Sequence, residues 1–189
     1  MRGIARAVVA VGIGLSLHAM NLHAQTPVRF GLSGGLSVPS GSTSDGLKTG
    51  WNGTALVQFF PASSPVGFQV DGSFHRLSSD DNVTVPGHEQ IIDGTANIVY
   101  EFKTSENSRF RPYLIGGGGV YNLKFKPDVG SSGSSTKFGI NGGAGFNFGT
   151  ASTSFFVEGR FHNVFVPNSD LHFIPINVGV RFGGGGSRS

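Results

Sequence analysis

After residue 27 the chain alternates apolar with small or polar side chains, two residues to the period, through eight successive segments, a pattern that leaves little besides antiparallel β-structure open to it. Successive side chains of a strand point to opposite faces, so each segment offers one apolar face and one polar face. In the first, Phe30, Leu32, Gly34, Leu36 and Val38 alternate with Arg29, Gly31, Ser33, Gly35 and Ser37. Trp51, Gly53, Ala55, Val57 and Phe59 share a face of the second, and in the third Val66, Phe68, Val70, Gly72 and Phe74 oppose Gln69, Asp71, Ser73 and His75. The fourth sets Ile92, Gly94, Ala96, Ile98, Tyr100 and Phe102 against Asp93, Thr95, Asn97 and Glu101. The fifth is blurred by Gly116 to Gly119, and its bulky residues Tyr113, Ile115, Tyr121 and Leu123 are expected on the apolar face. Phe138 to Phe148, Phe155 to Phe161 and Ile174 to Phe182 supply the apolar faces of the last three, against Glu158, Arg160, His162, Asn177 and Arg181.

The polar face decides which medium the apolar face meets. A water-facing surface is normally rich in Lys and Glu. Here it is Gly, Ser, Asn and Thr with isolated charges, and only 13% of all residues are charged. Small polar groups and scattered opposite charges suit the interior of a narrow barrel whose outside touches lipid. Closure also removes the unpaired strand edges that hydrocarbon forbids. The expected fold is therefore all-β: an eight-stranded antiparallel up-and-down transmembrane β-barrel over residues 28–182. A soluble lipocalin-like barrel is the alternative, since alternation alone fits both. Outer loops are expected at 39–50, 78–89, 126–136 and 165–172, with shorter turns at 61–65, 103–109 and 149–152 and both chain ends in the periplasm.

Residues 1–24 have the layout of a cleaved secretory signal peptide. Arg2 and Arg6 precede an apolar run from Ala7 to Leu17, which is shorter than the ~20 residues a membrane-spanning helix needs. Without it, two of the 14 Lys and Arg and none of the 11 Asp and Glu are removed, so the mature net charge is 12 − 11 = +1. That balance, with no basic cluster, argues against nucleic acid. No cysteine is present, so neither disulfides nor thiolate metal sites arise.

Three stretches resemble the small outer-membrane β-barrel proteins of the OmpA-like and OmpX-like kind, the outer membrane protein β-barrel domain group. They are Arg111-Pro112-Tyr113-Leu114-Ile115 with Gly116 to Gly119, Phe156 to His162, and Phe173 to Phe182. The resemblance implies residence in the cell outer membrane as a monomer, in contact with outer-membrane lipid and lipopolysaccharide, after insertion by the barrel-assembly machinery. Members commonly end in an aromatic residue read by that machinery. Phe182 is its counterpart, although Gly183 to Ser189 follow as a flexible tail. Trp51, Tyr100 and Tyr113 join Phe182 as the aromatics expected to face lipid or to serve assembly.

Arg29, Asp71, Asp93, Glu101, Glu158, Arg160 and Arg181 fall on the inner face, where charges must be paired or hydrated, and a structural network of ion pairs is expected. Ser73, His75 and Asp71 share one face of the third segment in the vocabulary of nucleophilic catalysis, but same-face neighbours stand about 7 Å apart. Lipid A deacylases carry a His-x-Ser pattern. His162 is followed here by Val164 where the serine would stand, so the resemblance to that enzyme class fails at the nucleophile. His75, His88, His162 and His172 are scattered without metal-ligand spacing, and Asp80 and Asp81 read as a solvated acidic loop. The glycine runs contain no GxGxxG, so no cofactor is expected, and the sequons at Asn52 and Asn82 carry no weight. The favoured role is non-catalytic: a structural, adhesion or ligand-interaction barrel acting through its extracellular loops. A narrow pore or small-molecule binding barrel is the second reading and a lipid A-modifying enzyme the third.

Overall fold

The computed structural model describes residues 28–183 except 42, 44–45, 62–63, 80–86, 105–108, 128–132, 151 and 168–169. The expected signal peptide and tail residues 184–189 lie outside the described residues, as do Asp80, Asp81 and Asn82. Eight strands follow one another: β1 (Val28–Pro39), β2 (Leu47–Phe59), β3 (Val66–Ser79), β4 (Gly87–Glu101), β5 (Phe110–Pro127), β6 (Gly133–Gly149), β7 (Thr153–Val164) and β8 (Leu171–Gly183). Each pairs antiparallel with the next, and β1 pairs with β8 from Arg29↔Gly183 to Pro39↔Phe173 to close the barrel. Val28 and Gly183 share a rim, here called the near rim; the other is the far rim.

The outer surface is apolar. Phe30, Leu32, Leu36, Trp51, Val70, Ile92, Ile98, Phe138, Phe155 and Val178 are among the large side chains left exposed, the opposite of a water-soluble barrel. From Ile92 on β4 to Phe102, the residue after its end, this face spans about 25 Å along the axis of a tilted strand, the height of a hydrocarbon band.

β5 departs from the expectation. Tyr113, Ile115, Tyr121 and Leu123 do not face lipid; all four are buried in the lumen, while Phe110, Leu114 and Val120 are exposed in the alternate phase. The reason is polar satisfaction and space. Each tyrosine hydroxyl reaches a lumen partner, Glu158 for Tyr113 and His162 for Tyr121. The Tyr113 ring lies over Gly145, where an added Cβ would stand 2.5 Å from the ring, and the Tyr121 ring lies against Gly139. Inward glycines on β6 thus make room for inward tyrosines on β5.

The loops also differ. The strands run past the apolar band at the far rim, with β2 beginning at Leu47, β3 ending at Ser79, β4 beginning at Gly87 and β5 ending at Pro127. Part of the length expected in the outer loops, residues 39, 47–50, 78–79, 87–89, 126–127, 133–136 and 171–172, is strand, because cross-strand backbone bonds continue wherever register persists, whatever the side chains meet.

Candidate functional site

The lumen has three levels. Near the near rim Phe60, Val99, Tyr113 and Ile115 form an apolar cluster. Near the far rim Leu77, Ile91, Tyr121, Leu123, Val164 and Phe173 form another, with Leu47, Val166 and Leu171 packed against it. Polar and charged side chains fill the space between and beside them.

Six of the seven inward charges expected from sequence belong to one connected network. Arg29 Nη1 donates to Glu101 Oε1 at 2.8 Å, and Asn147 Nδ2 donates to the same oxygen at 3.2 Å. Arg181 donates to Asn147 Oδ1 and to the Tyr113 hydroxyl, which donates to Glu158 Oε2 at 2.7 Å. Arg160 bridges Glu158 Oε1 at 2.6 Å and Asp71 Oδ2 at 2.7 Å. Asp71 also accepts from Gln69, Thr95 and Asn97, and Gln69 accepts from Gln58. Every strand contributes at least one member, from Arg29 on β1 and Gln58 on β2 to Arg181 on β8. The Arg181 guanidinium also lies 3.9 Å from the Phe156 ring centre and 5.0 Å from that of Tyr113, so aromatic rings pack on it while its two terminal nitrogens donate. Phe156 in turn lies over Gly179 of β8, the same large-over-small device used by the tyrosines.

The seventh charge, Asp93, sits apart with His75. Ser37 Oγ and His75 Nδ1 are 2.8 Å apart, and His75 Nε2 and Asp93 Oδ2 are 3.0 Å apart. Asn52 Nδ2 donates to Ser37 Oγ at 3.1 Å. The arrangement that sequence suggested, Ser73 with His75 and Asp71, is not formed. Ser73 accepts from Thr54 and Asp71 belongs to Arg160, while His75 takes its serine from β1. The Ser37–His75–Asp93 relay ties β1 to β4. Ser37 is wholly buried, and Phe173 of the far-rim cluster lies edge-on to the His75 ring at 5.0 Å. His162 bonds Tyr121 at 2.9 Å and stacks on Phe173. Among the described residues no group of three His, Cys, Asp or Glu is placed to hold a metal.

Of the four aromatics assigned to lipid, Trp51, Tyr100 and Phe182 are exposed on the outer face and Tyr113 is not. Sequence reasoning missed Tyr113 and Tyr121 as lumen members and did not single out Gln58, whereas Gln69 and Asn147 lie on the polar face where the alternation puts them. The signal available was chemical: 17 Phe against three Tyr means that a hydroxyl on an aromatic is the exception in this chain, and two of the three hydroxyls are used inside.

A closed antiparallel barrel with an apolar outside and a polar, paired inside defines a transmembrane β-barrel. The chain belongs to the family described by the outer membrane protein beta-barrel domain, whose model matches residues 7–182. No curated protein matches it. Its fold is similar to that of Neisserial surface protein A, at 17% identity and a TM-score of 0.64, covering 82% of this chain and 96% of that one. It is also similar to OprG of Pseudomonas aeruginosa (14% identity, TM-score 0.52, 84% and 98% covered) and to a major outer membrane protein of Thermus thermophilus (10%, 0.52, 82% and 99%). The protein is thus an outer-membrane barrel.

Proposed function

We propose that the protein is a closed, non-catalytic scaffold whose far rim is turned to the cell exterior and whose work is done by the connections that leave that rim, between β1 and β2, β3 and β4, β5 and β6, and β7 and β8, in meeting ligands or surfaces. The observation that carries this reading is the filled lumen: an apolar cluster near each rim, with the ion-pair network and the histidine relay between them. Eight strands leave an interior just wide enough for side chains, and these side chains use it. The same filling weighs against a conducting pore. The complete burial of Ser37 weighs against catalysis by the relay.

Two measurements test the reading, and a third tests its rival. In planar bilayers the purified barrel is expected to give no unitary current, and reproducible conductance steps would overturn the closed lumen. Because the chain has no cysteine, single replacements report sidedness cleanly. Asn82→Cys is expected to react with a membrane-impermeant maleimide on intact cells and Ser105→Cys only after lysis; the reverse pattern would overturn the orientation. The lipid A of cells with and without the protein is expected to have identical masses, and a mass change dependent on Ser37 would instead favour the enzyme reading.

A further inference from the structure

The far mouth of the lumen carries two charges that the network below it does not use. Glu89 of β4 pairs in register with Leu77 of β3 and Phe125 of β5, and Lys137 of β6 pairs with Tyr121 of β5, so both lie in the inward register. Both are half-buried. Neither has a hydrogen bond or an ion pair among the described residues. They do not meet each other because they stand on facing parts of the wall: Phe125, opposite Glu89, pairs with Gly133, four residues farther out along β6 than Lys137.

The rest of the mouth is apolar. Leu77 and Leu123 belong to the far-rim cluster, and Leu47, Val166 and Leu171 pack against it from β2, the end of β7 and β8. Leu47 reaches this inner face because the register of β2 shifts between Lys48 and Trp51, which also turns Lys48 outward with Ser78. Arg76, His88, Lys124 and Lys126 share that outward register, so among the described strand residues beyond the Ser37–His75–Asp93 relay only Glu89 and Lys137 bring charge to the lumen. Glu89 lies three residues past Ile92, where the apolar outer face ends, and so stands beyond the hydrocarbon. Burial among the aliphatic side chains pushes its carboxyl up to about 7. A carboxylate held there without a partner is costly, and a ligand that brings a cation to it relieves that cost.

We propose that the far mouth binds an apolar α-amino acid, with its ammonium on Glu89, its carboxylate on Lys137 and its side chain on the floor of Leu47, Leu77 and Leu171. The proposal deepens the reading above, since it needs the far rim to be the one turned to the exterior. Charge complementarity selects the class. An amine alone would leave Lys137 unpaired and an acid alone would leave Glu89 unpaired, whereas a zwitterion satisfies both; the short carboxylate arm and the long, flexible ammonium arm leave room for a head group between them. The lumen below stays sealed, because Phe173, Ile91 and Tyr121 lie beneath this floor.

The test is equilibrium dialysis of radiolabelled L-leucine against the full refolded barrel in detergent, with unlabelled leucine amide, N-acetylleucine and glycine as competitors. Leucine is expected to compete at least about tenfold better than each of the three, which lack the carboxylate, the ammonium and the apolar body in turn. Glu89→Gln and Lys137→Gln should each weaken retention about tenfold, and Lys124→Gln, outward on the same rim, should change nothing. Because the Glu89 carboxyl titrates near 7, retention should fall severalfold as the pH is lowered from about 7.5 to about 6, and Glu89→Gln should flatten that slope. No saturable retention, equal competition by leucine and its analogues, or full retention by either mouth variant would each overturn the proposal. Heat-modifiable gel migration is recorded for every variant, and the competitor series, which needs no substitution, decides alone if a variant fails to fold. A wrong orientation or a conducting lumen appears separately, in the cysteine labelling and the planar bilayers, whatever the dialysis gives.

Discussion

The two halves of the lumen are closed by different physics. Toward the near rim, beside the small apolar cluster of Phe60, Val99, Tyr113 and Ile115, ions and amides form a network in which each member has a partner on another strand, and Arg160 alone holds two carboxylates. Toward the far rim, aliphatic and aromatic side chains cap one relay of Ser37, His75 and Asp93. A buried ion pair gains little over a well-packed apolar pair, but removing one partner is costly because it strands the other. Apolar packing fails more gently, in proportion to the volume removed. The difference teaches that the near half is specified by pairing and the far half by filling.

Four substitutions sharpen or break that comparison. Arg160→Met takes from Asp71 its cation, leaving it the donors Gln69, Thr95 and Asn97, and leaves Glu158 only Tyr113 and Arg181, and should cost about 3 kcal/mol of stability in detergent; a melting shift no larger than that of a surface change would refute the pairing account. Phe173→Ala empties the far cap and should cost about 3 kcal/mol, measured by the same unfolding titration. If it also admits ions in planar bilayers while Arg160→Met does not, the far cap alone seals the lumen. Tyr113→Phe removes a hydroxyl that bonds Glu158 and Arg181 and should cost about 2 kcal/mol. Tyr121→Phe removes one bonded to the imidazole of His162 and should cost about 1 kcal/mol. Equal losses for the two tyrosines would erase the distinction between the halves.

Much of this was legible in the alternation. Seven strands had their faces assigned correctly, because on them hydropathy differs between the two sides: Phe68 and Val70 against Gln69 and Asp71 leave no ambiguity. β5 was not legible. Its inward residues are Tyr113, Ile115, Tyr121 and Leu123 and its outward ones include Phe110, Leu114 and Val120, so both faces are apolar and Gly116 to Gly119 carry no side chain to fix the phase. The inward charges were legible one by one, but their partners were not. Which serine meets His75 depends on where β1 sits relative to β3, two strands around a narrow cylinder, and only register places Ser37 rather than Ser73 against the imidazole. Glycine was legible as an excess but not as a set of receptors: Gly139, Gly145 and Gly179 acquire meaning only beside Tyr121, Tyr113 and Phe156.

The seam between β1 and β8 has a kinetic consequence. Arg29 and Glu101 are separated by 72 residues, and Arg160 and Asp71 by 89, so these ions meet only when distant parts of the chain have been brought round. Contacts of such long sequence separation reward the chain late, after its loop-closure entropy has been spent. A half-wound ribbon exposes unpaired backbone and stranded charge to hydrocarbon, neither of which it tolerates. Maturation of this chain is therefore expected to run as a single committed event, with the meeting of the first and last strands as the step that discharges the whole interior at once.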